Sequence, residues 1–274
     1  MSRHDNAGPE PGDHSLEGAL AGLASPGPVD LALGILRHVG ISPERYDAYV
    51  LLDTDAGGLY AAYSPTAITG SVLESMVVSP EMFEETHWQR TGRTAVRSTL
   101  PFPGLRPALR TGRAKSLPVD LTGLDAQERA VLQAVRAVPK GQLRPVGWIA
   151  READVTDMAD LTGFVARTLA RNPLTLLIPC HRVTYEDGTP CDAAYTPATG
   201  RALRSAEGID MLRLAELSRR GGLLLGSDTT HIYCHPTCAH ARRITPPHQR
   251  PFRTADEARG AGYRACRSCR PVSV

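Results

Sequence analysis

A chain of 274 residues has room for about two domains. Its 42% apolar and 22% charged residues exclude a wholly disordered chain, and aromatics at 5% call for an aliphatic, alanine-rich core. The net charge of +2 by itself indicates no partner, and no apolar run approaches the ~18 residues needed to cross a membrane.

Residues 1–28 are rich in Gly and Pro and read as a flexible tail. Leu16–Ala24 is broken by Glu17, Gly18 and Gly22 and has no basic flank, so a secretory signal is not expected. Asp30–Val39 has the spacing of a short helix. Tyr49–Asp53 reads as a strand, the turn Asp55-Ala-Gly-Gly58 follows, and Leu59–Tyr63 completes a hairpin. Ser79–Leu117 is mixed, with Pro101, Pro103 and Pro107 suggesting loops. From Leu124 the pattern turns helical. Leu124, Val131, Leu132, Val135 and Val138 share one face, with Asp125 as N-cap and Pro139-Lys140-Gly141 as the stop. Shorter helices are predicted at Val146–Ala153 and Leu161–Arg171. Three short helices joined by tight turns permit a helix-turn-helix and equally a plain helical subdomain. Leu174–Ile178 reads as a buried strand, Tyr185–Thr199 as a loop and Arg201–Glu216 as a helix. The fold class is α+β: a small N-terminal α/β subdomain at 29–118, a helical unit at 119–210, and a separate module at 221–274.

Only Lys115 and Lys140 among the 31 Lys and Arg are lysine, a bias that genomic base composition explains more readily than phosphate binding. The cysteines say more. Cys180 follows Leu-Leu-Ile-Pro and precedes His-Arg. A thiolate is the attacking species, and a His at the next position would act through a water, oriented by a carboxylate elsewhere. A lone Cys-His pair is more often a buried structural thiol beside a surface His. Cys191 reads as incidental. Cys234-x3-Cys238 and Cys266-x2-Cys269, 27 residues apart, match one tetrahedral zinc site. A reducing cytoplasm and short-loop strain disfavour disulfides. His231, His235, His240 and His248 are further candidate ligands, but four Cys already fill the shell. A unit this small has too little core to fold without a staple. From Thr229 to Val274 eight Arg stand against Asp256 and Glu257.

The longer string Arg171-Asn172-Pro173-Leu-Thr-Leu-Leu-Ile-Pro-Cys180-His181-Arg182-Val183, with Asp187-Gly188, Tyr195 and Glu207-Gly208, resembles the O6-alkylguanine-DNA alkyltransferases. The likeness reaches back through Gln127 and Val138-Pro139-Lys140-Gly141 and, more weakly, into Tyr46–Tyr63. It implies single-turnover repair of alkylated double-stranded DNA. A helix-turn-helix would bind the DNA, a flipped guanine would enter the site, and Cys180 would take the alkyl group. The same resemblance makes His181 a water-mediated proton relay, Glu207 its orienting group and Asn172 a brace, with Tyr195 lining the guanine pocket. Arg167 and Arg182 join Tyr195 in the substrate-binding set. The sequence departs from the family at three places. Gly163 stands where an Arg fills the hole left by the flipped base. Val146 replaces a Tyr, with Trp148 two residues on. Thr196-Pro197 replace a Gly pair after Tyr195.

Thr229-Thr-His-Ile-Tyr233-Cys234-His-Pro236-Thr-Cys238, then Phe252, Gly262-Tyr263-Arg264-Ala-Cys266-Arg-Ser-Cys269-Arg-Pro271, resembles the zinc-binding N-terminal domain of the Ada adaptive-response protein. That resemblance implies one Zn2+ held by Cys234, Cys238, Cys266 and Cys269, with Cys234 accepting methyl from backbone phosphotriesters. Ala241 replaces an Arg of that family, and the module order is reversed. Together the readings predict a cytoplasmic monomer, nucleoid-associated on DNA, with no membrane contact. A non-catalytic alkylated-DNA binder or transcriptional regulator with a structural zinc is the rival, and a thiol-dependent hydrolase a weaker third.

Overall fold

Alternation of apolar residues builds the first sheet. The computed structural model describes residues 28–155 and 159–271, so the tail expected at 1–28 lies outside the described residues except for Pro28. Helix α1 (Leu31–His38) leads into β1 (Tyr46–Thr54), which pairs antiparallel with β2 (Gly57–Tyr63). The hairpin closes because Thr54 Oγ1 accepts from the Ala56 amide at 3.1 Å and donates to the Gly57 carbonyl at 2.6 Å. Gly57 itself sits at φ 99°, open to glycine at little cost. With β3 (Ile68–Leu73) and β4 (Thr94–Arg97) the sheet runs β3-β2-β1-β4, its last pair parallel. Period-2 alternation gives it two faces. Val50, Leu52, Leu59 and Ala61 join the main core, while Tyr49, Tyr60 and Ala62 pack on Phe83 of α2 (Pro80–Thr91).

The mixed region 79–117 is therefore more ordered than its prolines suggest. In α2 only Phe83 and His87 are buried, four residues apart, too few to print a periodic stripe. Pro107 lies in the first turn of α3 (Leu105–Thr111), where its missing N–H costs nothing.

Helix α4 (Ala126–Arg136) starts as the sequence predicts. Asp125 and Glu128 form a reciprocal capping box, and Val131, Leu132 and Val135 are buried. Helices α5 (Val146–Glu152) and α6 (Leu161–Ala170) pack on α4 and on each other as a helix-turn-helix. A short parallel pair, β5 (Arg144–Pro145) with β6 (Val183–Thr184), ties the entry of α5 to the segment after Cys180.

Two expectations are corrected. Leu174–Ile178 is buried but is not a strand: Thr175 and Pro173 bond only to Ser71 on the sheet edge, Leu176 turns to φ 65°, and the Ile178 amide closes on the Leu174 carbonyl at 2.9 Å. Arg201–Glu216 is not one helix. Gly208 at φ 70° ends α7 (Pro197–Ala206), and Asp210 caps α8 (Met211–Arg219).

The C-terminal module is a four-stranded sheet in the order β10-β8-β7-β9: β7 (Leu224–Ser227), β8 (Ile232–Cys234), β9 (Gln249–Phe252) and β10 (Arg264–Ala265), with α9 (Ala255–Gly260) packed against it. Its core is six side chains, Tyr233, Phe252 and Tyr263 among them. A Cβ on Gly226 would lie 2.6 Å from the Phe252 ring and 2.7 Å from Tyr263, so only glycine lets those rings close over the sheet. Among the described residues no helix is long and apolar enough to cross a membrane.

Candidate functional sites: a buried thiol and a four-cysteine metal centre

Cys180 opens a single 3-10 turn with His181 and Arg182, directly after Pro179. Its thiol is 0% exposed. The loop that presents it is braced by Ser71, whose Oγ donates to the Thr175 carbonyl at 2.8 Å, and by Asn172. Asn172 Nδ2 donates to the Ile178 carbonyl at 3.0 Å and to Cys180 Sγ at 3.2 Å, while its Oδ1 accepts from the Leu174 amide at 2.9 Å. Burial pushes the Cys180 thiol up to about 12, against the pull of the Asn172 hydrogen bond. At rest it is a protonated thiol, and it needs a base.

A candidate base lies one residue on. His181 Nε2 is 2.9 Å from Glu207 Oε1, and its Nδ1 is buried with no hydrogen-bond partner. Burial lowers the imidazole's proton affinity, outweighing the Glu207 carboxylate. The neutral ring then places its proton on Nε2, facing the carboxylate, and leaves Nδ1 as an acceptor. Burial alone would raise Glu207, but hydrogen bonds from His181 and Arg182 hold it down at about 2. Its oxygens also take the Gly141 amide at 2.8 Å. Arg182 grips Glu207 through Nε and Nη2, the latter at 2.6 Å, and donates from Nη1 to the Val138 carbonyl. Arg182 is thus spent on orienting Glu207, away from the surface where a substrate contact would need it. The Tyr195 ring is buried and stands edge-on to His181, centroids 6.2 Å apart.

The remaining expected substrate contacts lie elsewhere. Arg167 is on the exposed face of α6, its Nη1 3.0 Å from Asp160. Gly163 receives the Asp160 cap through its amide, and a Cβ there would meet that carboxylate at 2.1 Å. Val146 is core, and Trp148 is buried. Cys191 is buried too, close enough for its charge to act on Cys180. No local pattern marks the Arg204–Asp192 pair, with contacts of 2.6 and 2.9 Å, in which Arg204 also reaches the His181 carbonyl. Its two members are spaced like any surface pair.

In the second site Cys234, Cys238, Cys266 and Cys269 bring their sulfurs within 4.8 Å of one another, all four buried. Cys234 ends β8, Cys266 follows β10, and the parallel pairing of those strands aligns them. Amides of His240 and Ala241 are directed at Cys238, and that of His235 at Cys269. A closed shell of four converging thiols in a module with six core residues fits one tetrahedral Zn2+. Cys234 borders a groove of about 850 Å³ lined by Thr229, Thr230, His240, Arg243 and His248.

Fold and sites together define a helix-turn-helix protein with a buried thiol, joined to a four-cysteine metal module. The family model of the 6-O-methylguanine DNA methyltransferase DNA-binding domain matches residues 126–209, and that of the metal-binding domain of Ada matches residues 216–272. Each model matches one segment of the chain. A methylated-DNA–protein-cysteine methyltransferase of Mycobacterium leprae is 34% identical over 73 residues, covering 27% of this chain and 42% of that one. That of Salmonella typhimurium is 32% identical over 108 residues, covering 38% and 61%. A DNA base-flipping protein of Thermus thermophilus is 36% identical over 87 residues, covering 32% and 52%. The chain thus spans about half the length of the curated relatives it matches. The solved O6-methylguanine methyltransferase of Mycobacterium tuberculosis has a TM-score of 0.42 at 23% identity, covering 59% of this chain and 92% of that one.

Proposed function

We propose that the protein repairs alkylated double-stranded DNA by taking the alkyl group of O6-alkylguanine onto Cys180, once per molecule. The observation that carries this is the orphaned His181 Nδ1 beside a fully buried thiol, backed by an ionised Glu207. A water bridging Cys180 and Nδ1 would pass the thiol proton to His181, and the Glu207 carboxylate would stabilise the imidazolium formed. Asn172 would hold the thiolate. Sulfur then bonds the alkyl carbon as its bond to O6 breaks, and the departing guanine takes up a proton. Tyr195 lines the base pocket. Arg167 is assigned to phosphate contact from its exposed helix face, and Arg182 to orienting Glu207. On this reading residues 29–118 support the catalytic unit at 119–210, and 221–274 form the zinc module.

Cys234 is the proposed acceptor of methyl from backbone phosphotriesters. Bound zinc would keep the thiols deprotonated and electron-rich. Cys234 Sγ would bond the methyl carbon as the ester C–O bond breaks, leaving a phosphodiester. Thr229, Thr230 and Arg243 in the adjoining groove suit a phosphate backbone. The protein would work as a monomer in the cytoplasm, on the nucleoid when bound. Mass spectrometry after incubation with O6-methylguanine duplex tests the first site: one methyl on the Cys180 peptide is expected, and an unmodified Cys180 under excess lesion refutes the reading.

A further inference from the structure

The metal module and the helix-turn-helix unit meet along a polar seam. Trp148 Nε1 donates to the Cys269 carbonyl at 2.9 Å, the Leu143 amide to Thr237 Oγ1 at 2.8 Å, and Arg151 Nη2 to the Arg270 carbonyl at 2.8 Å, while Arg270 ion-pairs with Glu152. Arg144 lies inside this seam, 2% exposed. Its guanidinium donates to the Leu143 carbonyl and to Gln142 Oε1, both at 2.7 Å, and its Cζ lies 5.3 Å from the centroid of the Trp148 ring. Its Nε is buried without a partner. Among the described residues no carboxylate lies within ion-pair distance of it. Trp148, whose ring it faces, donates to the Cys269 carbonyl, and the four metal-site cysteines are near enough for their charge, once ionised, to act on it.

A buried guanidinium without a counter-charge is strongly disfavoured. Neutral carbonyls and a ring face soften that cost but do not cancel it. Four protonated thiols would offer no compensation, whereas four thiolates around Zn2+ carry a net charge of −2 in a region of low dielectric. Arg144 is also well placed to transmit a change. It forms β5 with Pro145 and stands opposite Val183, the residue that follows Cys180-His181-Arg182. Three residues before it, the Gly141 amide holds Glu207, and two residues after it α5 begins.

We propose that Arg144 is the buried counter-cation of the zinc–tetrathiolate site and that, through it, loading of the metal module holds the β5–β6 pair beside Cys180 in place. The two modules are then one zinc-dependent unit, with Arg144 as a positioning residue that contacts neither DNA nor the metal.

The test uses the full chain and requires no alkylated DNA, so its outcome is independent of the alkyl-transfer reading. Zinc release to excess chelator is followed with a metallochromic indicator in wild type, Arg144→Met and Arg144→Lys. Loss of the buried charge in Arg144→Met is expected to speed release about tenfold or more, and Arg144→Lys to restore most of the retention. If Arg144→Met does not fold, a folded, zinc-retaining Arg144→Lys supports the charge requirement, and joint failure of both refutes it in favour of shape. In a Trp88→Phe background, Trp148 is the only tryptophan. Zinc withdrawal should shift its emission to the red and raise peptide-resolved labelling of Cys180 by a thiol reagent. Wild-type release rates in Arg144→Met, or unchanged Trp148 emission and Cys180 labelling after zinc withdrawal, overturn the proposal.

Discussion

Cys180 and Cys234 are both buried, yet their surroundings prepare a thiolate in opposite ways. Around Cys180 no cation among the described residues contacts the sulfur. Burial keeps the proton on, the Asn172 donor favours the thiolate once it forms, and the His181–Glu207 pair is the proposed acceptor of the proton. Cys234 sits in a cluster whose four thiols converge on a metal position, where the proton is displaced for as long as metal is bound. On the proposed mechanism the first thiol would be activated on demand and the second permanently, for as long as metal is bound. A latent thiol would suit an acceptor that must wait for a flipped base, and a permanently ionised one would need the metal both to fold and to react.

The largest expected effect separates the two sites outright. Cys180→Ala should abolish methyl uptake from O6-methylguanine duplex while phosphotriester DNA still methylates Cys234, read by peptide mass spectrometry. Loss of both activities together would mean that the sites do not act separately.

Next comes Glu207. Its carboxyl is held at about 2, below its ordinary value of 4.5, so its stabilisation is fully present above the ordinary value and is lost as pH falls toward 2. Glu207→Gln should therefore destabilise the protein at pH 7 by on the order of 3 kcal/mol, with the gap to wild type closing toward pH 2. Urea unfolding across that range checks it. Acid should act on the metal module by another route, protonating the thiols and releasing zinc.

Asn172→Ala removes the side-chain donor to Cys180 Sγ and two ties within its loop. It should slow alkylation of Cys180 about 10- to 100-fold and leave the rate at Cys234 unchanged, because a hydrogen bond to a charged group contributes about 1.5–3 kcal/mol. Single-turnover kinetics on the two lesions would expose an equal slowing, which would assign Asn172 a general structural role instead.

The smallest effect is at Arg167, whose ion pair with Asp160 is solvent-exposed. Arg167→Ala should change stability by less than about 1 kcal/mol. It should weaken DNA binding uniformly across sequences and lower the salt slope by about one. An unchanged slope would remove Arg167 from the DNA contact.

Much of this molecule follows from local chemistry. Asp125 with Glu128 sets the start of α4, the hairpin turns at Asp55-Ala56 within the predicted Asp55–Gly58, with Gly57 and Gly58 already in β2, and the paired cysteines mark the metal centre, because capping, turn formation and ligand spacing all act within a few residues. The Cys180-His181 string likewise marks a thiol site without knowledge of the fold. Where the answer depended on partners far along the chain, local pattern misled. Leu174–Ile178 has the composition of a strand, but Ser71, a hundred residues earlier, takes its backbone and turns it back. The helix expected through Glu216 breaks at Gly208, and this sets Glu207 on His181 and Arg182. Arg182, placed by resemblance among the substrate contacts, is buried with its guanidinium on Glu207 and the Val138 carbonyl, partners 25 and 44 residues away. Arg144 carries no local signal at all, since the cysteines that give it meaning begin ninety residues later. Sequence fixes interactions whose range is a turn of helix or a hairpin. Which buried charges meet is decided only when distant segments close around them and exclude water.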